Sequence, residues 1–193
     1  MKQASFNDLN SFVKGWFIDE SVCQGVIDYF ENNKHLHVPG RTTGGVDEAV
    51  KKSTDLGMQV NDDLPIELKS YFNAQYEALN EYKKLFPQLD KLIGPWTITE
   101  GANIQKYLPN EGYFAVHCEN LTIASSSRML VFSTFLNNVD DGGETEFPDE
   151  QLRVKAEAGL TIFFPPAWTH PHRGIVSPTQ TKYIITGWYS FAY

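Results

Sequence analysis

The chain predicts an α+β fold: two amphipathic helices, then short antiparallel strands forming a jelly-roll core, with the helices packed on one of its sheets. Three observations carry this expectation. Before residue 87, apolar residues recur at helical spacing in two stretches. From about Trp96 the periodicity changes to that of strands, in short runs rich in β-branched and aromatic residues. Between those runs lie Pro-, Gly-, Asn- and Asp-rich turns.

Residues 1–18 read as an edge strand or an ordered lead-in, with Phe6, Phe12, Trp16 and Phe17 as anchors. Asp19 then caps a helix whose stripe is Val22, Cys23, Val26, Ile27 and Phe30, and Asn32-Asn33 stops it. Residues 38–61 are long, polar and glycine-containing, a loop over a site mouth or a surface excursion. A second helix is capped by Asp62 or Asp63, with Pro65 in its first turn. Its stripe is Leu68, Phe72, Tyr76 or Gln75, Leu79 and Tyr82, and Pro87 ends it. Strands follow at Trp96–Glu100, Gly101–Tyr107, Gly112–Glu119, Arg128–Leu136, Leu160–Phe164 and Thr181–Phe191. Leu108–Gly112 and Asp140–Gly143 are turns.

With 193 residues, the chain is most simply one domain able to bury a core without staples. The expected division is helical support and loop over 1–95 and the jelly-roll core over 96–193. A formal charge of −8 argues against nucleic acid as a partner through a basic face. No apolar run is long enough to span a bilayer, so no membrane partner is expected. The first residues lack a signal-peptide pattern. Two distant cysteines, Cys23 and Cys118, give no disulfide framework and point to a reducing compartment, the cytoplasm.

The chemistry concentrates at His117-Cys118-Glu119. In an extended chain, residues two apart share a face, so His117 and Glu119 point together and Cys118 turns away. A His and a carboxylate on one face supply two of the three ligands of a 2-His-1-carboxylate metal site. For the second histidine, His35 and His37 have no acid or Cys beside them, which fits a surface or structural role. His170 and His172 follow an apolar strand through Pro165-Pro166, at a strand end where a barrel presents ligands. Further on, Lys182, Ile184, Thr186 and Trp188 share one strand face. A lysine on an apolar face must be paired or neutralised, unless it snorkels from an edge. An anionic ligand would supply the partner.

These residues resemble a known pattern. Residues 96–191 resemble the catalytic core of the prolyl 4-hydroxylases, within the 2-oxoglutarate- and Fe(II)-dependent dioxygenases. His117-Cys118-Glu119 stands for the family's His-x-Asp, His172 for its distal His, and Lys182 for the basic residue that binds 2-oxoglutarate. Tyr107-Leu-Pro-Asn-Glu-Gly-Tyr113, Arg128 through Asn137, Asp141-Gly-Gly-Glu-Thr-Glu-Phe-Pro148 and Ala158–Pro165 resemble its supporting segments. Two positions depart from it: Glu119 stands where Asp is usual, and Phe135 where Tyr is common.

The resemblance implies a double-stranded β-helix (jelly-roll, cupin-like). It implies Fe(II) on His117, Glu119 and His172, and 2-oxoglutarate on Lys182 with Tyr107 and Thr186 nearby. The implied reaction consumes molecular oxygen and hydroxylates a prolyl residue in a peptide or protein, releasing succinate and carbon dioxide, with ascorbate as a reductant. The Glu119 carboxylate speaks against a halogenase. Arg128, His170 and Trp188 are candidate substrate contacts. The alternatives are an oxygenase of a free amino acid, another side chain or a small molecule, and a non-catalytic jelly-roll metal binder, zinc included.

Overall fold

The computed structural model describes residues 1–6 and 11–192, so residues 7–10 of the lead-in lie outside the described residues. In chain order the elements are β1 (Lys2–Gln3), β2 (Lys14–Phe17), α1 (Glu20–Asn32), β3 (Val38–Pro39), β4 (Lys51–Lys52), β5 (Thr54–Met58), α2 (Ile66–Leu85) and α3 (Gln88–Lys91). The second half adds β6 (Trp96–Thr97), β7 (Ala102–Tyr107), β8 (Gly112–Tyr113), β9 (Arg128–Phe135) and β10 (Thr145–Phe147). It closes with β11 (Leu152–Val154), β12 (Leu160–Phe164), β13 (Arg173–Gly174) and β14 (Lys182–Phe191).

The main sheet runs β1-β2-β12-β9-β14-β7-β5-β3, with β6 added on β14. Smaller sheets, β11-β10-β13 and β4-β8, complete the antiparallel architecture. Alternation along the central strands separates two cores. Leu130 and Phe132 of β9, Phe163 of β12, and Ile185 and Tyr189 of β14 pack with α1 and α2. Val131 and Phe135, Ile162 and Phe164, and Ile184 and Trp188 pack on the other side with Phe147 and Val154 of the small sheet. The helices therefore cover one face of the main sheet, and the other face is left to build a cavity.

The helices form where apolar spacing and capping agree. The Asp19 carboxylate accepts from the Ser21 amide at 2.8 Å, and α1 buries Cys23, Val26 and Phe30. α2 buries Leu68, Tyr71, Gln75, Ala78, Leu79 and Tyr82. Tyr76 is exposed, so Gln75 holds the inward position. The Tyr71 hydroxyl meets Thr134 Oγ1 at 2.8 Å and ties α2 to β9.

The structure corrects several boundaries. α2 begins after Pro65, which itself takes the N-cap position in place of Asp62 or Asp63. The Asn61 side chain instead accepts the Asp63 amide, closing a turn ahead of the helix. Residues 38–61 are not one loop: β5 pairs with β7 inside the main sheet, and β3 pairs with β5. The Trp96–Glu100 strand shortens to β6. The Gly112–Glu119 strand is regular only over β8 and then breaks, leaving an isolated His117–His172 bridge.

Candidate metal centre

That bridge builds the site. His117 and His172 exchange both backbone hydrogen bonds at 2.9 Å, which sets their side chains next to each other. Two residues on, the Glu119 amide donates to the Pro166 carbonyl at 2.9 Å, pinning its backbone to the segment that leaves β12. His117, Glu119 and His172 thus offer ligand atoms that lie within 4.8 Å of one another. His117 Nε2 is 3.5 Å and His172 Nε2 3.4 Å from the same oxygen, Glu119 Oε1.

Both rings are held from behind. His117 Nδ1 donates to the Ala115 carbonyl at 3.0 Å, and His172 Nδ1 to the His170 carbonyl at 3.1 Å. Because a carbonyl can only accept, each neutral ring carries its lone pair on Nε2. Tyr113 stacks on His117 at 3.7 Å between centroids, while Phe164 and Phe147 flank His172. Burial pushes the Glu119 carboxyl up, but positive charge on the facing His117 and His172 rings outweighs burial and holds it well below the usual carboxylate range; with the rings neutral, that charge must come from a cation. Two nitrogen lone pairs and a carboxylate oxygen aimed at one point repel unless a cation lies between them. The donor set therefore fits a divalent metal.

The other Glu119 oxygen is engaged separately. Trp188 Nε1 donates to Oε2 at 3.1 Å, and Arg128 Nη1 lies 3.4 Å from it. A cavity of about 390 Å³ opens beside the three ligands. Lys182, Tyr107 and Thr186 line it, with Arg41, Thr42 and Thr43 from the 38–61 segment. Lys182 is buried. Its Nζ donates to the Gly143 carbonyl at 3.0 Å and sits 5.0 Å from the centre of the Tyr107 ring. Gly143 adopts φ +78°, and a β-carbon there would meet Val139 Cγ1 at 2.8 Å, so this turn requires glycine. Burial pushes the Lys182 amine down to about 8, with Glu144 pulling it back up. Burial, then the charges of Asp55, Tyr113 and Glu119, raise the Tyr107 phenol well above its ordinary value, which keeps it a neutral hydroxyl.

Of the histidine pair, only His172 faces the cavity. The His170 ring turns away, with Nδ1 on Thr169 at 2.8 Å and Nε2 3.1 Å from Glu150. What His170 gives the site is its backbone carbonyl. His35 and His37 lie outside the cavity, and His37 stacks on Phe30. Sequence reasoning missed Tyr113 as the ring beneath His117. It also missed the buried Lys51–Asp55 ion pair at 2.7 Å, to which Ser53 and Asn103 add hydrogen bonds. Lys51, Ser53 and Asp55 recur every second residue, a strand alternation of polar groups that reads as a loop when judged by polarity alone. A second cavity, of about 640 Å³, lies on the helix side between α2 and β6 and contains none of the three ligands.

Two histidines and one carboxylate, with open space in front of them, form the donor layout of non-haem Fe(II) oxygenases. Residues 102–190 match the model of the 2OG-Fe(II) oxygenase superfamily. The superfamily implies Fe(II) and 2-oxoglutarate.

Three solved structures share the fold. A viral collagen prolyl hydroxylase from Paramecium bursaria Chlorella virus-1, in its 2OG complex, matches with a TM-score of 0.70 at 17% identity, over 95% of this chain and 98% of that one. A Pseudomonas putida prolyl-4-hydroxylase gives 0.70 at 14% identity, over 95% of each chain. A Trichoplax adhaerens prolyl hydroxylase, in complex with a hypoxia inducible factor oxygen degradation domain peptide, gives 0.70 at 19%, over 94% of this chain and 84% of that one. No curated protein matches the chain in sequence.

Proposed function

We propose that this chain hydroxylates prolyl residues of a peptide or protein, using Fe(II), 2-oxoglutarate and molecular oxygen. The observation that carries the oxygenase reading is the convergence of two ring nitrogens and a carboxylate oxygen beside a cavity that also holds a buried lysine. The prolyl part draws its support from the three fold relatives, each a prolyl hydroxylase.

In this reading His117, Glu119 and His172 hold the metal. Lys182 receives the far carboxylate of 2-oxoglutarate, a charge-assisted bond strengthened by the low local dielectric. Tyr107 and Thr186 add hydroxyl groups on the same wall. Phe135, where a tyrosine is common, lies fully buried in the apolar core and offers no hydroxyl. When bound, Fe(II) with 2-oxoglutarate would activate oxygen, one atom going to the substrate C–H and the other to succinate, with loss of carbon dioxide. The chain's part is to orient the cosubstrate and exclude water.

The proposal includes one domain over 1–193, with 1–95 as support and 96–193 as the catalytic core. It includes a reducing compartment such as the cytoplasm, in keeping with the free Cys23 and Cys118, and ascorbate as a reductant. Mass spectrometry of proline-containing peptides after incubation with Fe(II), 2-oxoglutarate and oxygen tests the substrate. A gain of one oxygen on proline, lost in Glu119→Ala, is expected. Succinate release with no modified proline would move the substrate to another side chain or a small molecule.

A further inference from the structure

We infer that Arg128 and Trp188 are positioning residues. They clamp the outer oxygen of Glu119 so that the carboxylate meets a metal through one oxygen only, and this pre-organisation tightens metal binding. The inference rests on the metal-site reading above and extends it to the residue that departs from the resembled pattern.

A glutamate has one more rotatable bond than an aspartate. Left free, its carboxylate can swing and present either oxygen or both. Here the two oxygens have separate tasks. Oε1 faces both histidine Nε2 atoms at 3.4 and 3.5 Å. Oε2 accepts from Trp188 Nε1 at 3.1 Å and lies 3.4 Å from Arg128 Nη1. The carboxylate is thereby fixed at its far end as well as along its stem.

The clamp is itself rigid. Arg128 opens β9 and pairs in register with Ser190 of β14, two residues beyond Trp188. Its Nη1 also donates to the Glu119 backbone carbonyl at 2.8 Å. Nε and Nη2 reach the Glu100 carboxylate at 2.9 and 2.6 Å. The guanidinium lies 3.7 Å from the centre of the Trp188 ring, so the two clamp residues hold each other. Ser190 Oγ in turn donates to Glu100 at 3.3 Å. With all three guanidinium nitrogens engaged, Arg128 has little left to offer a substrate. Its place in the cavity wall serves the metal ligand.

The test uses Co(II) as the probe metal, titrated against a competing chelator, with its visible absorption as a second readout. Loss of a group that orients a metal ligand costs about 10–100-fold in affinity. Trp188→Phe keeps a ring and removes the N–H donor. Arg128→Lys keeps the charge and removes the planar fork. Each is expected to weaken Co(II) binding by about 10-fold or more and to change the Co(II) spectrum. Thermal unfolding of the metal-free proteins checks that the fold is kept. A purely structural role for Trp188 would cost the same whichever carboxylate is present, so the pair is measured again in a Glu119→Asp background. There the side chain is one methylene shorter and its carboxylate is drawn back from the clamp, and Trp188→Phe is expected to change affinity by less than about threefold.

Unchanged affinity and spectrum in both clamp variants would overturn the inference. So would tighter binding, which would make the freed carboxylate the better ligand. An equal loss in the glutamate and aspartate backgrounds would overturn it too. Failure of the unsubstituted protein to bind Co(II) at all would instead remove the metal-site reading, and the clamp with it.

Discussion

Replacing Lys182 with methionine separates a residue waiting for an anion from one that simply holds the fold together. In the ligand-free protein the amine is buried and held at about 8, against an ordinary value of 10.5. At about 1.4 kcal/mol per tenfold change in proton affinity, that difference is about 3 kcal/mol against the charged form in the folded state. The sign follows from proton binding. Below pH 8 both folded and unfolded chains carry the proton, and the full penalty acts on the fold. Between about 8 and 10.5 only the unfolded chain keeps the proton, so stability recovers as pH rises. Lys182→Met removes the penalty. It also removes the donor to the Gly143 carbonyl and the contact with the Tyr107 ring. An unpartnered buried carbonyl costs about 1–3 kcal/mol. The net expectation at pH 7 is a variant as stable as the parent or more so, by up to about 2 kcal/mol. Urea unfolding at pH 7 and at pH 10, with and without 2-oxoglutarate and Fe(II), measures it. The parent should gain about 2.7 kcal/mol at a ligand concentration of 100 Kd, and the variant almost none. A variant destabilised by more than about 2 kcal/mol at pH 7, or one still stabilised by 2-oxoglutarate, would refute the reasoning.

Other outcomes follow from the same geometry. The affinity for 2-oxoglutarate should hold below pH 8 and fall above it by up to about tenfold per pH unit, because binding must then supply Lys182 with a proton; a pH-independent Kd would count against that residue. His172→Ala should abolish metal binding, while His170→Ala, which keeps the backbone carbonyl behind His172, should leave it nearly intact; the reverse result would exchange their roles. Asp55→Ala leaves Lys51 buried without its counter-charge and should cost about 3–5 kcal/mol in urea unfolding; a loss below about 1 kcal/mol would mean the pair is not buried in solution.

Much of this was legible in the chain because local signals and tertiary demands agree there. Leu160–Phe164 is apolar but for Thr161 and is buried at every position, and the strand ends where Pro165 begins. Asp19 caps α1 with a carboxylate that accepts both the amide and the hydroxyl of Ser21, two residues on. The shared face of Lys182, Ile184, Thr186 and Trp188 reads from alternation alone, and all four line the cavity. The misses have tertiary causes. His117 and Glu119 do point together, yet not on a regular strand: their backbone groups bond to His172 and Pro166 from a distant segment. The polar β4 and β5 look like a loop because their inward charges neutralise each other, a pairing that requires both strands in place. The hydrogen-bonding reach of Arg128 and Trp188 to the outer oxygen of Glu119 was not legible, because it exists only once β9 and β14 align.

The central claim is that His117, Glu119 and His172 hold Fe(II) while Lys182 anchors 2-oxoglutarate in the adjoining cavity. Anaerobic absorption spectroscopy of the protein with both added tests this most directly. The account predicts a weak metal-to-ligand charge-transfer band that needs both components and is lost in His172→Ala. Absence of the band, together with no binding of 2-oxoglutarate by the Fe(II)-loaded protein, would contradict it.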